Sequence, residues 1–457
     1  MQETHEEETL ERPWEELERL VETATSPEVA AYLNSLSAGE VARALSRLSE
    51  TDQTQLLETL PPERAAHLLE EVPHVQATDM LGNVSPEVAA AIVQELRSDE
   101  RADLLGDLPE DGAAAILDNL PTAEADSIRE LVKYDDDEAG GIMVTEFLAF
   151  RSHLTAEQVI ENLRQNVETY RGFQSQYVYV TERGRKLSGV LQLRNLMLAP
   201  RDQRIHDFMV PGPLCVNHHT PLRELREFFD KHSYLAVPVV NDDQVLVGVV
   251  TRFDLREAIG EQADDDYRKS QGLVEEEMRT MPVIVRSRRR LAWLSVNIVL
   301  NVVAASVIAF YQDTLASVIA LAVFLPIISD MSGCSGNQAV AVSMRELTMG
   351  LVRPNELLRV WLKELSVGAL NGLALGSLIA AVAWGWKGNP YLGLVVGGAM
   401  AVNTVVAVSI GGLVPLLLKR GNMDPALASG PILTTITDMC GFFLVLSLAS
   451  WLLPYLQ

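Results

Sequence analysis

The 457-residue chain has few of the residues that build centres for soft metal ions. It contains three cysteines, Cys215, Cys334 and Cys440, and none of them has a CxxC or CxH spacing. The sequence therefore indicates neither a disulfide framework nor a zinc site. Histidine is also rare, with eight residues in the chain and none after position 285. Any bound cation is expected to rely on oxygen ligands.

Basic residues are scarce in the first 285 positions. This part has 26 Lys and Arg against 55 Asp and Glu, a net charge of −29, whereas residues 286–457 have 11 against 7, a net of +4. Nucleic acid is not an expected partner, because acidic surfaces repel phosphates. Divalent cations are natural partners. The acidic start also lacks the basic region and apolar core of a signal peptide, so we expect the N-terminus to stay in the cytosol.

An internal repeat with an offset of 24 residues occupies positions 36–133. Its four copies begin at Leu36, Leu60, Val84 and Leu108. Each copy predicts two short amphipathic helices, which cannot bury their apolar faces alone and must stack into a superhelix. We assign residues 1–135 to this domain. Its acidic corners, such as Asp103 and Asp107, are either solvated or share a cation with a second acidic domain.

Two β–α–β half-domains follow at about 138–200 and 203–262, within a domain assigned to 136–262. The second predicts a helix, the strand YLAVPVV, an Asn-Asp-Asp turn, the strand VLVGVV and a closing helix. It contains GVVTRFDL, and the pair resembles CBS motifs. In CBS pairs that bind adenine nucleotides, a Thr or Ser and an Asp three residues later meet the phosphate and the ribose. Thr251 and Asp254 fit that pattern, and a structural pair without nucleotide is the alternative.

Apolar segments fill the chain from Leu291 onward, each long enough, at about 20 residues, to cross a hydrocarbon core of roughly 30 Å. The predicted spans are 291–311, 315–344, 360–384, 391–418 and 427–453. Basic residues precede the first span and lie in the second-to-third and fourth-to-fifth connections, whereas the opposite side has only Lys387. The positive-inside rule then places the N-terminus in the cytosol and the C-terminus outside. We expect a multi-pass protein of the inner or plasma membrane, with the lipid bilayer as a partner.

Two aspartates lie inside these apolar segments, Asp330 in the second and Asp438 in the fifth. Ionisable residues at membrane depth are costly and by default face a cavity or a pathway. A neutral, protonated aspartate buried among the helices is the alternative. Other polar or backbone-exposing positions nearby are Gly336, Asn337, Gln338 and Thr435. Oxygen-only surroundings with one or two carboxylates suit a hard cation that keeps most of its water, and Mg²⁺ is the leading candidate.

The order of a helical repeat domain, a CBS pair, an acidic connecting helix at 263–285 and a transmembrane domain at 286–457 resembles the MgtE family of magnesium channels and transporters. The most specific pieces are GNQ at 336–338 and DPALASGPILTTITD, which ends at Asp438. The resemblance implies that Asp438 is the ion-selecting acid, and that the protein is a homodimer with its pore between subunits. The residues SGC at 332–334, and Asp330, depart from the family pattern, and both bear on ion selectivity.

These observations predict a multi-domain membrane protein with an α-helical superhelical N-terminal domain, an α/β CBS pair and a five-helix transmembrane domain. The predicted function is Mg²⁺ uptake, with no enzymatic activity. Facing acidic surfaces repel at close range by ~1–4 kcal/mol per pair of unit charges, so cytosolic Mg²⁺ that bridges them would favour a compact, closed form. The candidate regulatory ligands are Asp103, Asp107, Asp136, Asp264, Asp265, Asp266, Glu275, Glu276 and Glu277. ATP at Thr251 and Asp254 would tune this response.

Three other functional classes compete with this hypothesis. An ion-coupled secondary transporter of Mg²⁺, Co²⁺ or Mn²⁺ is the main alternative, although the spans show no evident inverted repeat. An intramembrane aspartyl protease would need a Gly-x-Gly-Asp signature, which neither Asp330 nor Asp438 has. A nucleotide-sensing scaffold without transport would leave both aspartates without a role.

Overall fold

The computed structural model describes residues 12–173, 175–273, 276–278, 281–421 and 423–456. The chain divides between Gln262 and Ala263 into two compact units. The first holds the helical repeats and the CBS pair, and the second holds the connecting segment and the apolar helices.

Short helices stack at the start of the first unit with the predicted period. They are α1 (Pro13–Thr23), α2 (Ser26–Ser35), α3 (Ala38–Leu45), α4 (Glu50–Thr59), α5 (Pro62–Glu70), α6 (His74–Asn83), α7 (Pro86–Glu95), α8 (Ser98–Gly106), α9 (Glu110–Asp118) and α10 (Thr122–Leu131). From α3 onward, alternate helices begin 24 residues apart. Proline at the first or second position of α5 and α7 favours these starts. The backbone N–H that proline lacks would have no hydrogen-bond partner within the helix at that position. Buried Leu, Val and Ala side chains from all copies form one continuous core.

Two small sheets form the CBS pair. The elements are β1 (Leu148–Arg151), α11 (Ala156–Gln165), α12 (Val167–Tyr170), β2 (Tyr177–Thr181), β3 (Leu187–Gln192), α13 (Leu193–Leu198), β4 (Val210–Pro211), β5 (Val216–Asn217), α14 (Leu222–Lys231), β6 (Ala236–Val240) and β7 (Leu246–Thr251). The strand orders are β1-β2-β3-β4 and β5-β6-β7, and the first pairing in each sheet is parallel. In the second sheet Val237 lies opposite Val250, and both side chains are buried. The Thr251 end of β7 leads directly into the next helix.

The connecting segment differs from the predicted single helix over 263–285. Helix α15 (Arg252–Ser270) closes the second CBS motif and runs on past position 262, whereas residues 276–278 are not helical. Gly272 has a φ of +81°. The N–H of Leu273 bonds the carbonyl of Arg268, and the N–H of Gly272 bonds that of Lys269, which is a Schellman ending. The glycine therefore terminates the helix.

The second unit contains the long apolar helices. They are α16 (Val283–Phe310), α17 (Gln312–Ser317), α18 (Leu321–Thr348), α19 (Leu357–Lys387), α20 (Pro390–Arg420), α21 (Pro425–Trp451) and α22 (Leu453–Leu456). Among the described residues, four helices are long and apolar enough to cross a membrane: α16, α19, α20 and, from Ser429, α21. Helix α18 has 28 residues but carries the polar segment around Asp330. The predicted second span at 315–344 is interrupted, since α17 ends before α18 begins.

Close backbone contacts hold α18, α19 and α20 together. A Cβ on Gly411 would lie 2.2 Å from the carbonyl oxygen of Gly336, and one on Gly376 would lie 2.6 Å from that of Gly397. Only glycine permits such approach, which is how helices without a hydrophobic driving force associate in lipid. Gly336, predicted as a site residue, is therefore a buried packing position at the crossing of α18 and α20.

Candidate functional site

Asp438 lies in the middle of α21 and is half-buried. The hydroxyl of Ser329 on α18 donates a hydrogen bond to its Oδ1. Within the described residues no Lys or Arg forms an ion pair with this carboxylate. A charged group at membrane depth without a countercharge is costly, which fits a group exposed to a water-filled path or to a cation.

The other predicted membrane-depth residues lie on α18 and α21 in different settings. Asp330, Asn337 and Gln338 are all exposed on the surface of the single chain. Asp330 and Asn337 are seven positions apart, so they share one face of α18. Thr435 is half-buried, and its hydroxyl donates to the Pro431 carbonyl of its own helix over 2.7 Å. It is therefore Ser329, and not its neighbour Asp330, that contacts Asp438.

A group of acids on α8 faces acids from the CBS pair within the first unit. Partial burial and the charges of Asp136 and Asp99 raise the pKa of Asp103 to about 8, with further contributions from Glu261 and Asp107. Burial and the charge of Asp107 also raise the pKa of Asp136. The structure thus brings together three predicted regulatory residues, Asp103, Asp107 and Asp136. We refer to Asp99, Glu100, Asp103, Asp107, Asp136 and Glu261 as the acidic face.

Two further members of the acidic face hold protons unusually tightly. Burial raises the pKa of Glu100 to about 7, and the charges of Glu70 and Asp99 add to the effect. Burial raises the pKa of Asp99 to about 6, even though Arg97 lies beside it. Surfaces that resist ionisation in this way gain stability when a cation neutralises them.

The predicted nucleotide residues are engaged within the first unit. Asp254 is buried, and its Oδ2 accepts the backbone N–H of Thr251 at 2.9 Å. Its Oδ1 accepts from Arg97 Nη2 at 2.9 Å, and the same Nη2 lies 2.7 Å from Asp99 Oδ2. Arg97 immediately precedes α8, so the helical domain supplies a countercharge to the CBS motif. Sequence reasoning missed Arg97, because its partner lies 157 residues away.

The acids of the connecting segment are mostly paired with basic residues. Asp265 lies 2.7 Å from Lys269, whose Nζ also lies 3.2 Å from Asp424 at the start of α21. Asp264 is exposed. Burial and the charge of Asp424 raise the pKa of Asp266. Lys269 thus holds the end of α15 against the start of the helix that carries Asp438.

Arginines engage the remaining two described acids of the segment. Glu276 lies 3.2 Å from Arg268. Glu277 is almost completely buried, and hydrogen bonds from Arg290 and Arg286 lower its pKa to about 2. Both predicted metal ligands therefore already have a cationic partner. Glu275 lies outside the described residues.

No group of three or more His, Cys, Asp or Glu side chains in the described part of the chain has the geometry to hold a metal ion. The carboxylates of the acidic face therefore form no such group among the described residues.

Comparisons with known proteins follow the same division of the chain. Residues 36–137 match the family described as the MgtE intracellular N domain, 205–261 match the CBS domain, and 325–448 match MgtE, a divalent cation transporter. The magnesium transporter MgtE of Enterococcus faecalis is 33% identical over 335 residues, covering 73% of this chain and 73% of the relative. The chain belongs to the MgtE family. The predicted family, multi-domain layout and function in magnesium transport are thereby confirmed.

A second relative agrees with membership of the MgtE family. The magnesium transporter MgtE of Thermus thermophilus is 32% identical over 337 residues, covering 71% of this chain and 72% of the relative. A crystal structure of the soluble part of a magnesium transporter is 27% identical, with a TM-score of 0.49, and covers 55% of this chain and 99% of that one.

The acidic face predicts a pH dependence of stability. Three of its acids, Asp99, Glu100 and Asp103, have pKa values raised to about 6, 7 and 8 in the folded chain. The folded state therefore binds more protons than the unfolded state, and stability falls as pH rises from about 4 through about 8. For the full-length protein in detergent without divalent cations, we expect the unfolding midpoint to fall between pH 6 and pH 8.5. Asp103→Asn should flatten this slope, measured by thermal unfolding.

Asp118→Asn, at an exposed position on α9, is the matched control and should keep the wild-type slope. An unchanged slope in Asp103→Asn would show that the acidic face does not govern the pH response.

Proposed function

We propose that this chain conducts Mg²⁺ across the membrane past the Asp438 carboxylate. The observation that carries the proposal is the half-buried position of Asp438 in α21, with a hydroxyl partner and no basic one among the described residues. A permanent ion pair would neutralise this acid and leave nothing to attract a cation. A carboxylate with only a neutral partner keeps its charge available.

Oxygen chemistry supports Mg²⁺ as the ion. Asp438 and Ser329 offer oxygen ligands alone, and Mg²⁺ prefers oxygen and gives up its water reluctantly. One carboxylate with hydroxyl and amide neighbours can recognise the hydrated ion without stripping it. Asn337 and Gln338, exposed on α18, extend this polar lining.

The exposed polar face of α18 supports a homodimer. Asp330 and Asn337 would be costly against lipid. A second subunit that covers this face would remove the cost and place the pore between the two chains. Helix α16 also leaves room for a second subunit, since only 6% of its most apolar 18-residue stretch is buried within the single chain. In this arrangement the N-terminus is cytosolic and the C-terminus is outside.

Cytosolic Mg²⁺ is proposed to close the pore by neutralising the acidic face. Bare carboxylates at this face repel one another, and a cation that binds the compact form better shifts the equilibrium by its difference in affinity. Several such sites together can supply about 5 kcal/mol, enough for a near-complete switch. The contact of Lys269 with Asp424 offers a route by which movement of α15 reaches α21.

An adenine nucleotide is proposed to act on the same domain contact. Thr251 and Asp254 would hold its phosphate and ribose, but the Asp254 carboxylate is occupied by Arg97 and the Thr251 N–H. ATP must therefore displace Arg97 before its ribose can bond Asp254. Nucleotide binding and docking of the helical domain then compete for one carboxylate.

Mg²⁺ flux into lipid vesicles tests the transport proposal. For Asp438→Ala we expect the flux to fall by at least about tenfold, because loss of one strong ionic contact costs more than ~1.4 kcal/mol. Asp330→Ala measures how far the second acid contributes, and internal Mg²⁺ is varied to detect closure. Asp313→Ala, at an exposed acid of α17, is the control and should leave the flux unchanged.

Wild-type flux in Asp438→Ala would exclude the proposed pathway. Flux that requires a sodium or proton gradient would instead favour the coupled secondary transporter.

Calorimetric titration of the full-length protein with ATP tests the nucleotide proposal. Arg97→Ala should bind ATP about tenfold more tightly, since the ribose no longer competes with a charged hydrogen bond. Asp254→Ala should lose binding. Arg101→Ala is the control, because among the described residues the Arg101 guanidinium donates to the backbone carbonyls of Leu96 and Gln94 and not to Asp254. Equal affinity in wild type and Arg97→Ala would disprove the competition.

A further inference from the structure

A buried asparagine, Asn403 on α20, holds the turn of α21 that carries Asp438. Asn403 is 0% exposed, and its Nδ2 donates to the backbone carbonyl of Thr437 at 3.1 Å. Thr437 immediately precedes Asp438 and is itself fully buried. A backbone carbonyl has two lone pairs, so this bond can add to the one within the helix.

The other end of the Asn403 amide adds no hydrogen bond to the packing of the described residues. Its Oδ1 is buried and has no hydrogen-bond partner in the part of the chain that the structure describes. An unpaired buried acceptor is destabilising, and apolar residues of the same shape commonly pack as well or better. Stability alone therefore does not account for an asparagine here. The contribution of Asn403 is therefore the hydrogen bond that its Nδ2 donates to the Thr437 carbonyl.

The close packing of Gly441 on α21 against the Asn403 amide is a second, independent observation. A Cβ on Gly441 would lie 2.8 Å from Asn403 Nδ2 and 3.5 Å from Ile328 Cγ2. Ile328 precedes Ser329, which bonds Asp438 from α18. The Asp438 turn is thus held on one side by a hydroxyl from α18 and on the other by an amide from α20.

We propose that Asn403 is a positioning residue for ion recognition. By bonding the Thr437 carbonyl, it fixes the axial rotation of α21, so that the Asp438 carboxylate stays at the place where it meets the passing cation. A selective site needs its ligands held closely in place, and a turn that can rotate admits ions of other sizes and hydration. This inference rests on the proposed role of Asp438.

The test compares the full-length wild type with Asn403→Leu in lipid vesicles. Leucine has nearly the shape of asparagine but cannot donate, and it also removes the unpaired Oδ1. The thermal unfolding midpoint should stay equal or rise. The Mg²⁺ concentration for half-maximal flux should increase, and the preference for Mg²⁺ over Ca²⁺ should fall, each by about fivefold, the effect of one lost hydrogen bond. A purely structural role would not change the ion preference in a stable variant.

Thr404→Val is the matched control. Thr404 is equally buried on the same helix, but its hydroxyl bonds the Met400 carbonyl of its own helix, so its loss should leave the ion preference unchanged. If Asn403→Leu keeps both wild-type values, the inference is overturned. If that variant does not fold, Gly441→Ala decides, because its methyl group displaces the amide. A reduced Mg²⁺ preference supports the inference, and an unchanged one overturns it.

Asp438→Ala is measured in the same vesicles to separate the two claims. If Asp438→Ala loses flux while Asn403→Leu behaves as wild type, only the positioning role is wrong. If Asp438→Ala retains wild-type flux and preference, the pathway itself is wrong, and the positioning role is overturned with it.

Discussion

The cost of placing a carboxylate at membrane depth is the constraint on which the second unit depends. Among the described residues, Asp438 has no basic partner. Its environment must therefore supply water, a cation or oriented dipoles. Ser329 from α18 provides one such dipole, and the α20 amide of Asn403 fixes the adjacent carbonyl. A close backbone contact between Gly336 and Gly411 brings α18 and α20 together, and a Cβ on Gly441 of α21 would lie 2.8 Å from the Asn403 amide nitrogen. The packing of these helices and the setting of the Asp438 carboxylate are therefore one arrangement.

The first unit differs from the second in its electrostatics. It carries many acidic side chains close together, whereas Asp438 is a single isolated acid. Burial, together with the neighbouring charges of the acidic face, raises the pKa of Asp103 to about 8 and that of Glu100 to about 7. Because the folded state holds these protons more tightly than the unfolded state, the stability of the first unit depends on pH. Arg97 supplies one fixed positive charge to the contact, through Asp254. The domain contact thus includes one fixed positive charge from Arg97, and the proposed function assigns neutralisation of the remaining acids to ions from solution.

The sequence predicts best where a pattern is local and periodic. The 24-residue offset gave the helix starts, because each copy repeats the same capping and apolar positions. The helix ending at Gly272 also has a local signal, since a glycine follows two basic residues, Arg268 and Lys269. Arg97 and Asn403 could not be assigned, since their partners come from distant segments brought together by packing. The one local signal for Asn403 is that it is a polar, uncharged residue inside an apolar span.

The central claim is that the Asp438 carboxylate meets the transported ion. Anomalous X-ray diffraction from crystals of the full-length protein with Mn²⁺ in place of Mg²⁺ tests it most directly, because Mn²⁺ has similar oxygen preferences and a strong signal. We expect a peak beside this carboxylate that disappears in Asp438→Asn. Mn²⁺ found elsewhere between the helices, with the carboxylate bonded to Ser329 alone, would contradict the account.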